Sequence, residues 1–281
     1  MSQDTKNYYL PGASLLPLTA SITLFLLASG LVMFMNDVAP GKYVIITGFI
    51  SLAYLLYSWF SEVIHESISK LYNKQVDKSF RWGMGWFIFS EVMFFFGFFG
   101  ALFYVRNVSL PWLADAHGLT GAQAVWPGFQ AIWPSAGPKL ALEGSMKPWG
   151  LPAINTLLLL TSGATLTWAH WALMKNNRKQ IILGLILTIA LGATFLFLQA
   201  HEYADAPFTI KSGIYGATFY MLTGFHGLHV TMGAIMLTVI LLRVLKGHFD
   251  SHNHFGFEAV AWYWHFVDVV WLALFIFVYW L

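Results

Sequence analysis

The stretch FEAVAWYWHFVDVVWLALFIFVYWL, residues 257–281, decides the class of fold. A helix crosses the hydrocarbon core of a bilayer with about 20 apolar residues, and this run is long enough to do so. Its length also favours a helix over a strand, which periodicity cannot do in so apolar a segment. His265 and Asp268 lie three residues apart, and therefore on one helix face. Each of them costs free energy in lipid unless a neighbouring helix supplies a partner.

The composition extends this interpretation to the whole chain. Of its 281 residues, 58% are hydrophobic and 10% are charged, whereas about a quarter of the residues in soluble domains are charged. A net charge of +2 is too small to suggest a nucleic-acid-binding protein. The absence of cysteine excludes disulfides, thiolate metal sites and cysteine nucleophiles. The first residues lack the pattern of a cleaved signal peptide, so we expect the spans themselves to direct insertion.

The apolar runs predict seven membrane-spanning helices and short connections, with one exception. Residues 107–149 are rich in Gly, Pro, Ala and Trp, which indicates an extended surface loop and not a second domain. The predicted spans are Leu15–Met35, Tyr43–Val63, Trp82–Val105, Pro152–Met174, Ile181–Gln199, Ile214–Leu242 and Phe257–Leu281.

Lysine and arginine placement predicts the orientation, because cytoplasmic connections carry an excess of these residues. Five lie on one side: Lys42, Arg106, Lys139, Lys147 and Lys211. We therefore expect the amino terminus, on the richer side, to be cytoplasmic and the last residue to lie outside. The ten residues on the amino-terminal side are Lys6, Lys70, Lys74, Lys78, Arg81, Lys175, Arg178, Lys179, Arg243 and Lys246.

Polar residues are few within the spans, so each can be considered singly. On the seventh span, Glu258, Trp262, His265 and Asp268 recur at spacings of four and three and form one stripe. Polar residues at span ends can reach headgroups or water, and we interpret three as interfacial: His170, His201 and Glu202. The deeper candidates for a site are Glu91, His226, His229, Glu258, His265 and Asp268.

Three functions compete for the deeper set. Hydrogen bonding between packed helices is favoured, at around 1 kcal/mol per contact. A bis-histidine haem would need ligands on opposite sides of the ring, but His226 and His229 share one helix face. A proton or ion relay through the chain is the third possibility. An independent transporter is disfavoured, because no internal repeat with interrupted helices is visible.

Five blocks of the sequence closely resemble subunit III of cytochrome c oxidase, the haem–copper terminal oxidase. They follow the order of that family and cover most of the chain from Phe80 onward. Quinol-oxidising relatives carry a related subunit of five helices; that branch remains the alternative, and the two additional amino-terminal spans favour the cytochrome c branch. The blocks are RWGMGWFIFSEVMFFFGFFGALF, NTLLLLTSGATLTWAH, FLFLQAHEY, GIYGATFYMLTGFHGLHVTMG and HFGFEAVAWYWHFVDVVW.

The resemblance implies an all-α polytopic membrane protein with a V-shaped lipid cleft. One arm of the V is a pair of helices, residues 15–66, after a cytoplasmic tail of residues 1–14. An inner linker, residues 67–80, leads to a five-helix bundle, residues 81–281. The implied location is a bacterial inner (plasma) membrane, with the mitochondrial inner membrane as the alternative.

The resemblance also implies an accessory subunit of aerobic respiration without catalytic residues, cofactor or metal of its own. Haems and copper belong to subunits I and II, cytochrome c reaches the complex through subunit II, and the complex couples oxygen reduction to proton pumping. Subunit III supports proton uptake and turnover stability and holds phospholipid near an oxygen route. Glu91 matches the family's buried, carbodiimide-reactive carboxyl group. The predicted lipid contacts are Trp59, His65, Arg81, Arg243 and Lys246, although the position of His65 usually carries arginine.

Overall fold

The computed structural model describes residues 9–10, 12–116, 118–251 and 253–281, and within these it contains helices and no strand. Seven segments are long and apolar enough to cross a membrane, which confirms the predicted all-α polytopic fold. The α-helices are α1 Leu16–Met35, α2 Gly41–Ile68, α3 Lys74–Tyr104, α4 Leu110–Leu113, α5 Ala122–Val125, α6 Leu151–Met174, α7 Arg178–Asp205, α8 Gly213–Leu245 and α9 Phe255–Leu274. Two π-helical segments are Val105–Ser109 and Phe275–Trp280.

Several spans are longer than the hydrophobic runs that predicted them. The third begins at Lys74 and continues through Val105–Ser109 and α4 to Leu113, so the start of the predicted loop at residues 107–149 is helical. Pro111 explains the π-helical segment, because it lacks the N–H that would bond to the carbonyl four residues earlier. Between α2 and α3 only residues 69–73 are irregular, where a linker of residues 67–80 was predicted.

Contacts divide the chain into two compact units, the first ending at Trp82 and the second formed by Gly83–Leu281. In the first unit, α1 and α2 pack closely because glycine permits close approach of backbones. A Cβ at Gly30 would lie 2.7 Å from the Ile45 nitrogen, and one at Gly48 would lie 2.8 Å from Leu27. Thr23 and Ser51 join the two helices through their hydroxyl groups, 2.5 Å apart.

The second unit is a bundle in which α6 packs on α7, α7 on α8, α8 on α9, and α9 again on α6. Its core contains Trp264 and Trp271 of α9, both almost completely buried. The part of α3 after Gly83 adds aromatic contacts to this group, with Phe94 against Phe225 and Phe95 against Phe266. The bundle therefore encloses the polar residues of α8 and α9 on several sides.

The long connection before α6 packs on the bundle at the end that we call the loop end. Its residues Ser135 and Ala136 accept hydrogen bonds from the first backbone N–H groups of α8, those of Tyr215 and Ile214. These groups have no partner inside their own helix. Gly213 has a positive φ of 80°, and a Cβ there would collide with the Ala136 carbonyl oxygen, so the junction requires glycine. The opposite end, with the turns at residues 175–177 and 246–254, is the turn end.

Candidate functional site

Trp264 fixes α9 among its three neighbours in the bundle. Its indole nitrogen donates a 2.9 Å hydrogen bond to the Ser162 hydroxyl of α6. A Cβ at Gly192 of α7 would lie 2.6 Å from the ring, and one at Gly233 of α8 would lie 2.8 Å from it. The two glycines therefore provide the space that the indole fills, and Ser162 satisfies its only polar atom.

His265 directly follows Trp264 on α9, Asp268 lies one turn further along, and both side chains face Gly163 of α6. The nearest imidazole nitrogen and carboxyl oxygen are 3.7 Å apart. The carboxyl group also lies directly against Gly163, where a Cβ atom would collide with it. Thr167 donates its hydroxyl hydrogen to the Gly163 carbonyl at 2.9 Å. Its oxygen, 3.4 Å from His265 Nε2, is therefore free to accept a hydrogen bond from that nitrogen. The Nδ1 atom is left to face the carboxyl group.

Glu91 of α3 and His229 of α8 form the closest carboxyl–imidazole contact between two different helices among the described spans. His229 Nε2 lies 2.9 Å from Glu91 Oε2, and both side chains are mostly buried. The Nδ1 atom lies 2.6 Å from the Phe225 carbonyl oxygen, to which it must donate. A neutral ring then carries no proton on Nε2, so the Nε2–Oε2 contact holds one proton, placed on either the carboxyl group or the imidazole.

His226 is buried one turn before His229 and bonds in a different direction. Its Nε2 lies 3.2 Å from the Val267 carbonyl oxygen of α9, to which it donates. The ring packs at 5.2 Å from Trp271 and 5.7 Å from Phe195. The two histidines of α8 therefore serve different helices, His226 contacting α9 and His229 contacting α3.

Glu258 lies at the turn end, separate from the other deep residues. His254 Nε2 is 3.9 Å from its carboxyl group, and the His170 ring lies 6.0 Å from the His254 ring. The Arg243 guanidinium stacks over Phe249 at 4.3 Å. Within the residues that the structure describes, no group of three or more His, Cys, Asp and Glu side chains could hold a metal ion.

The remaining predicted lipid contacts are polar or aromatic residues of α2 and α3 and of the end of α8, and they are partly or fully exposed. In the first unit, Trp59 stacks on Phe60, His65 lies in the last turn of α2, and Arg81 pairs with Asp77 at 2.9 Å. Since α3 begins at Lys74, Arg81 lies two turns inside the helix and not at its start. In the second unit, Lys246 is exposed and caps the end of α8.

The interfacial interpretation was wrong for Glu202. His201 is exposed and pairs with Asp205 at 2.8 Å, but the side chain of Glu202 is only 1% exposed. It lies with Asn155, Gln199 and Tyr279, three buried polar residues that were not predicted. Helical spacing offered a signal, because Thr188, Gly192, Phe195, Gln199 and Glu202 continue one buried stripe of α7 at steps of three and four.

Known proteins match this chain over its full length. The family model for cytochrome c oxidase subunit III matches residues 6–281. A relative from Hippopotamus amphibius named cytochrome c oxidase subunit 3 is 42% identical over 281 residues, 100% of this chain and 99% of the relative. Relatives of that name from Pongo abelii and Prototheca wickerhamii are each 43% identical; the first covers 100% and the second 97% of this chain, with 99% and 96% of their own lengths matched. A full-length match, joined to seven apolar helices, places the chain in the cytochrome c oxidase subunit III family.

Proposed function

We propose that the chain is an accessory subunit that contributes no redox centre to its oxidase. The observation that carries the proposal is that imidazole groups of the spans bond to neighbouring helices. Both nitrogens of His229 are engaged, as is Nε2 of His226, and His265 lies between Thr167 and Asp268. A haem iron that bound any of these engaged nitrogens would have to displace its contact.

Separation of the subunits tests this proposal. We expect the detergent-separated chain to show no haem absorption band and no oxygen reduction, while the haem and copper spectra stay with the remaining subunits. The untreated complex, measured in parallel, is the control. A stoichiometric haem band that travels with the chain would contradict the proposal.

In this proposal Glu91 holds α3 and α8 together through its hydrogen bond with His229. An amide at this position can donate to His229 Nε2 as a neutral carboxylic acid does. We therefore expect Glu91→Gln to retain most steady-state oxygen consumption, whereas Glu91→Leu, which cannot bond, weakens the α3–α8 contact and the retention of the subunit. A proton relay predicts the opposite pattern for glutamine, with nearly complete loss of turnover in an assembled complex.

As a member of this family the chain is part of a complex with other oxidase subunits. The finer assignments are proposals that rest on the family resemblance. The chain packs on catalytic subunit I beside subunit II, which receives electrons from cytochrome c, and it sustains proton uptake during turnover. The apolar side chains on the outside of the helices, among them Phe96, Phe103, Trp171 and Phe197, are suited to lipid or to neighbouring subunits.

Phospholipid binding is the second part of the proposal, assigned to Trp59, His65, Arg81, Arg243 and Lys246. Arginine offers paired donors that match a phosphate group. The Nε atom of Arg243 is buried and has no hydrogen-bond partner among the described residues, so this side chain retains capacity for an anionic ligand. Basic side chains at helix ends also reach the headgroup layer while their stems stay in apolar surroundings.

Paired substitution tests the lipid assignment. We expect Arg81→Ala with Arg243→Ala to remove tightly bound phospholipid and to speed inactivation during turnover, with the initial rate nearly unchanged. Lys175→Ala is the matched control, since it removes an exposed basic residue just after α6. Lipid content by mass spectrometry and the decay of oxygen consumption are the measurements; if neither changes, ordinary interfacial placement of the arginines is the better account.

The location and orientation complete the proposal. The chain is a multi-pass membrane protein, and we place it in a bacterial plasma membrane with its amino terminus in the cytoplasm. The lysine and arginine bias supports this orientation. Accessibility of a tag at either terminus in sealed membrane vesicles would test it.

A further inference from the structure

Glu202 is a buried carboxyl group that the proposed function does not use. It lies near the loop end of α7, one turn after Gln199, and its side chain is 1% exposed. Neither carboxyl oxygen has a hydrogen-bond partner of good geometry among the described residues, and the Tyr279 hydroxyl is the polar group that interacts with it. A buried acceptor without a donor costs about 1–3 kcal/mol, so this position calls for an explanation.

Three polar side chains from different elements surround this part of α7. Asn155 of α6 donates from its amide nitrogen to Gln199 Oε1 at 3.4 Å. Gln199 in turn donates to the Tyr279 hydroxyl at 3.5 Å, and Tyr279 is the polar neighbour of the Glu202 carboxyl group. The donors form a directed chain from α6 through α7 to the π-helical segment Phe275–Trp280.

This series of hydrogen bonds leaves more acceptor atoms than donor hydrogens without a partner. The unpartnered atoms are Glu202 Oε1, Glu202 Oε2 and Asn155 Oδ1. The hydroxyl of Tyr279 accepts from Gln199, so its own hydrogen is the one donor still available. Protonation of Glu202 would supply a second donor and leave two acceptors, so the numbers balance, but no described hydrogen bond joins the Glu202 carboxyl group to Asn155 Oδ1.

The charges around Glu202 favour its neutral form. Among the ion pairs of the described residues none includes Glu202, and the adjacent His201 is exposed and already paired with Asp205. An ionised carboxylate without a counterion is far more costly to bury than a neutral acid. A metal ion lacks support, because no cluster of three or more metal-binding side chains occurs in the described part of the chain.

We propose that Glu202 is a neutral carboxylic acid that binds an internal water molecule together with Asn155 and Tyr279. Water has two donors and two acceptor sites, which is the complement that these groups lack. It accepts the acid O–H of Glu202 and the hydroxyl hydrogen of Tyr279, and it donates to Asn155 Oδ1 and to the carbonyl oxygen of the acid. Internal waters in proteins typically make about three such bonds.

This site is separate from the Glu91–His229 pair in both position and chemistry. Glu91 is bonded directly to an imidazole, whereas the polar neighbour of the Glu202 carboxyl group is the phenol of Tyr279. The water would tie α6, α7 and Phe275–Trp280 together at the loop end. Its proton, unlike the one shared with His229, exchanges through a water molecule.

Infrared difference spectroscopy of the assembled oxidase tests the protonation state. We expect Glu202→Gln to remove one carboxylic acid C=O band, which in the unmodified complex shifts when H2O is replaced by D2O. Asp205→Asn is the matched control one turn along α7, and it should leave that band in place. An acid region unchanged by Glu202→Gln would overturn the proposal.

The water itself is tested by isotope and by density. Exchange into H2¹⁸O should shift an O–H stretching band that is absent in Asn155→Leu, in which the acid band persists at a shifted frequency. A high-resolution map of the unmodified complex, which depends on no variant, should show one isolated peak within hydrogen-bond distance of Glu202 and Asn155. Direct contact between the two side chains without such a peak, or a peak that follows the concentration of Na⁺ or K⁺, would overturn the assignment to water.

Discussion

The pair α1–α2 and the bundle of α6–α9 bring helices together with different residues. In α1 and α2 only 11% of the most apolar window is buried within the chain, against 56% in the last span. The pair is closed by Gly30, Gly48 and one hydroxyl contact. The bundle adds large aromatic groups that fill glycine-made spaces and carry their own hydrogen-bond partners. Close backbone approach therefore suffices for two helices, whereas a four-helix ring requires side chains that fill its centre.

Overpacking of the space around Trp264 should destabilise the bundle and have the largest effect of the substitutions predicted here. Gly233→Val places side-chain atoms where a Cβ alone would lie 2.8 Å from the indole. Overpacking costs about 1–3 kcal/mol, so we expect retention of the subunit in the purified complex to fall by about ten-fold. Gly224→Val, on the same helix with open space around it, is the control. Equal loss from both variants would show that helix propensity and not the indole is responsible.

The contact between α1 and α2 should be easier to disrupt than the packing around Trp264, and its disruption should destabilise the protein less. The chain has no cysteine, and the hydroxyl oxygens of Thr23 and Ser51 lie 2.5 Å apart. We expect Thr23→Cys with Ser51→Cys to form one disulfide on mild oxidation, visible by mass spectrometry of the digested chain.

Addition of Gly30→Val to the double cysteine variant should slow this cross-linking several-fold while subunit retention changes less than in Gly233→Val. The reason is that Gly30 contributes only to the close contact between α1 and α2, whereas Trp264 contacts three helices. Cross-linking at an unchanged rate would show that the pair does not depend on close contact at Gly30. Thr23→Cys alone is the control for disulfides between chains.

The sequence was a good guide where contacts are local or set by composition. Seven spans follow from hydrophobic length, and the facing of His265 and Asp268 follows from their spacing. The pairing of Glu91 with His229 requires the relative depth and rotation of α3 and α8, which hydrophobic length does not specify. Helix ends were placed too early wherever polar residues continue the helix, as at Gln199 and Glu202, because a buried polar cluster looks like an interface when only hydropathy is considered.

The smallest effect is expected at the turn end, in the turn between α8 and α9. Desolvation lowers the pKa of His248 below its ordinary value, and the positive charges of Arg243 and Lys246 lower that pKa further. The folded turn therefore favours the neutral ring. Its contribution to stability is present above the ordinary pKa of about 6.5 and is lost as pH falls through the lowered pKa of the folded state.

Hydrogen exchange of the intact complex can detect this loosening. The amide N–H of His248 donates to the Arg243 carbonyl at 3.0 Å. We expect the protection of this amide, corrected for intrinsic exchange, to fall modestly as pH is lowered below the ordinary histidine pKa of about 6.5. Lys246→Gln removes one repelling charge, so the midpoint should move to higher pH, and His248→Gln should abolish the dependence. The bundle core around Trp264, whose indole nitrogen bonds to Ser162 and whose ring lies against Gly192 and Gly233, should stay protected throughout. If His248→Gln kept the same pH dependence, another group in the turn would have to carry it, and the difference between a titratable turn and a pH-insensitive core would need a different cause.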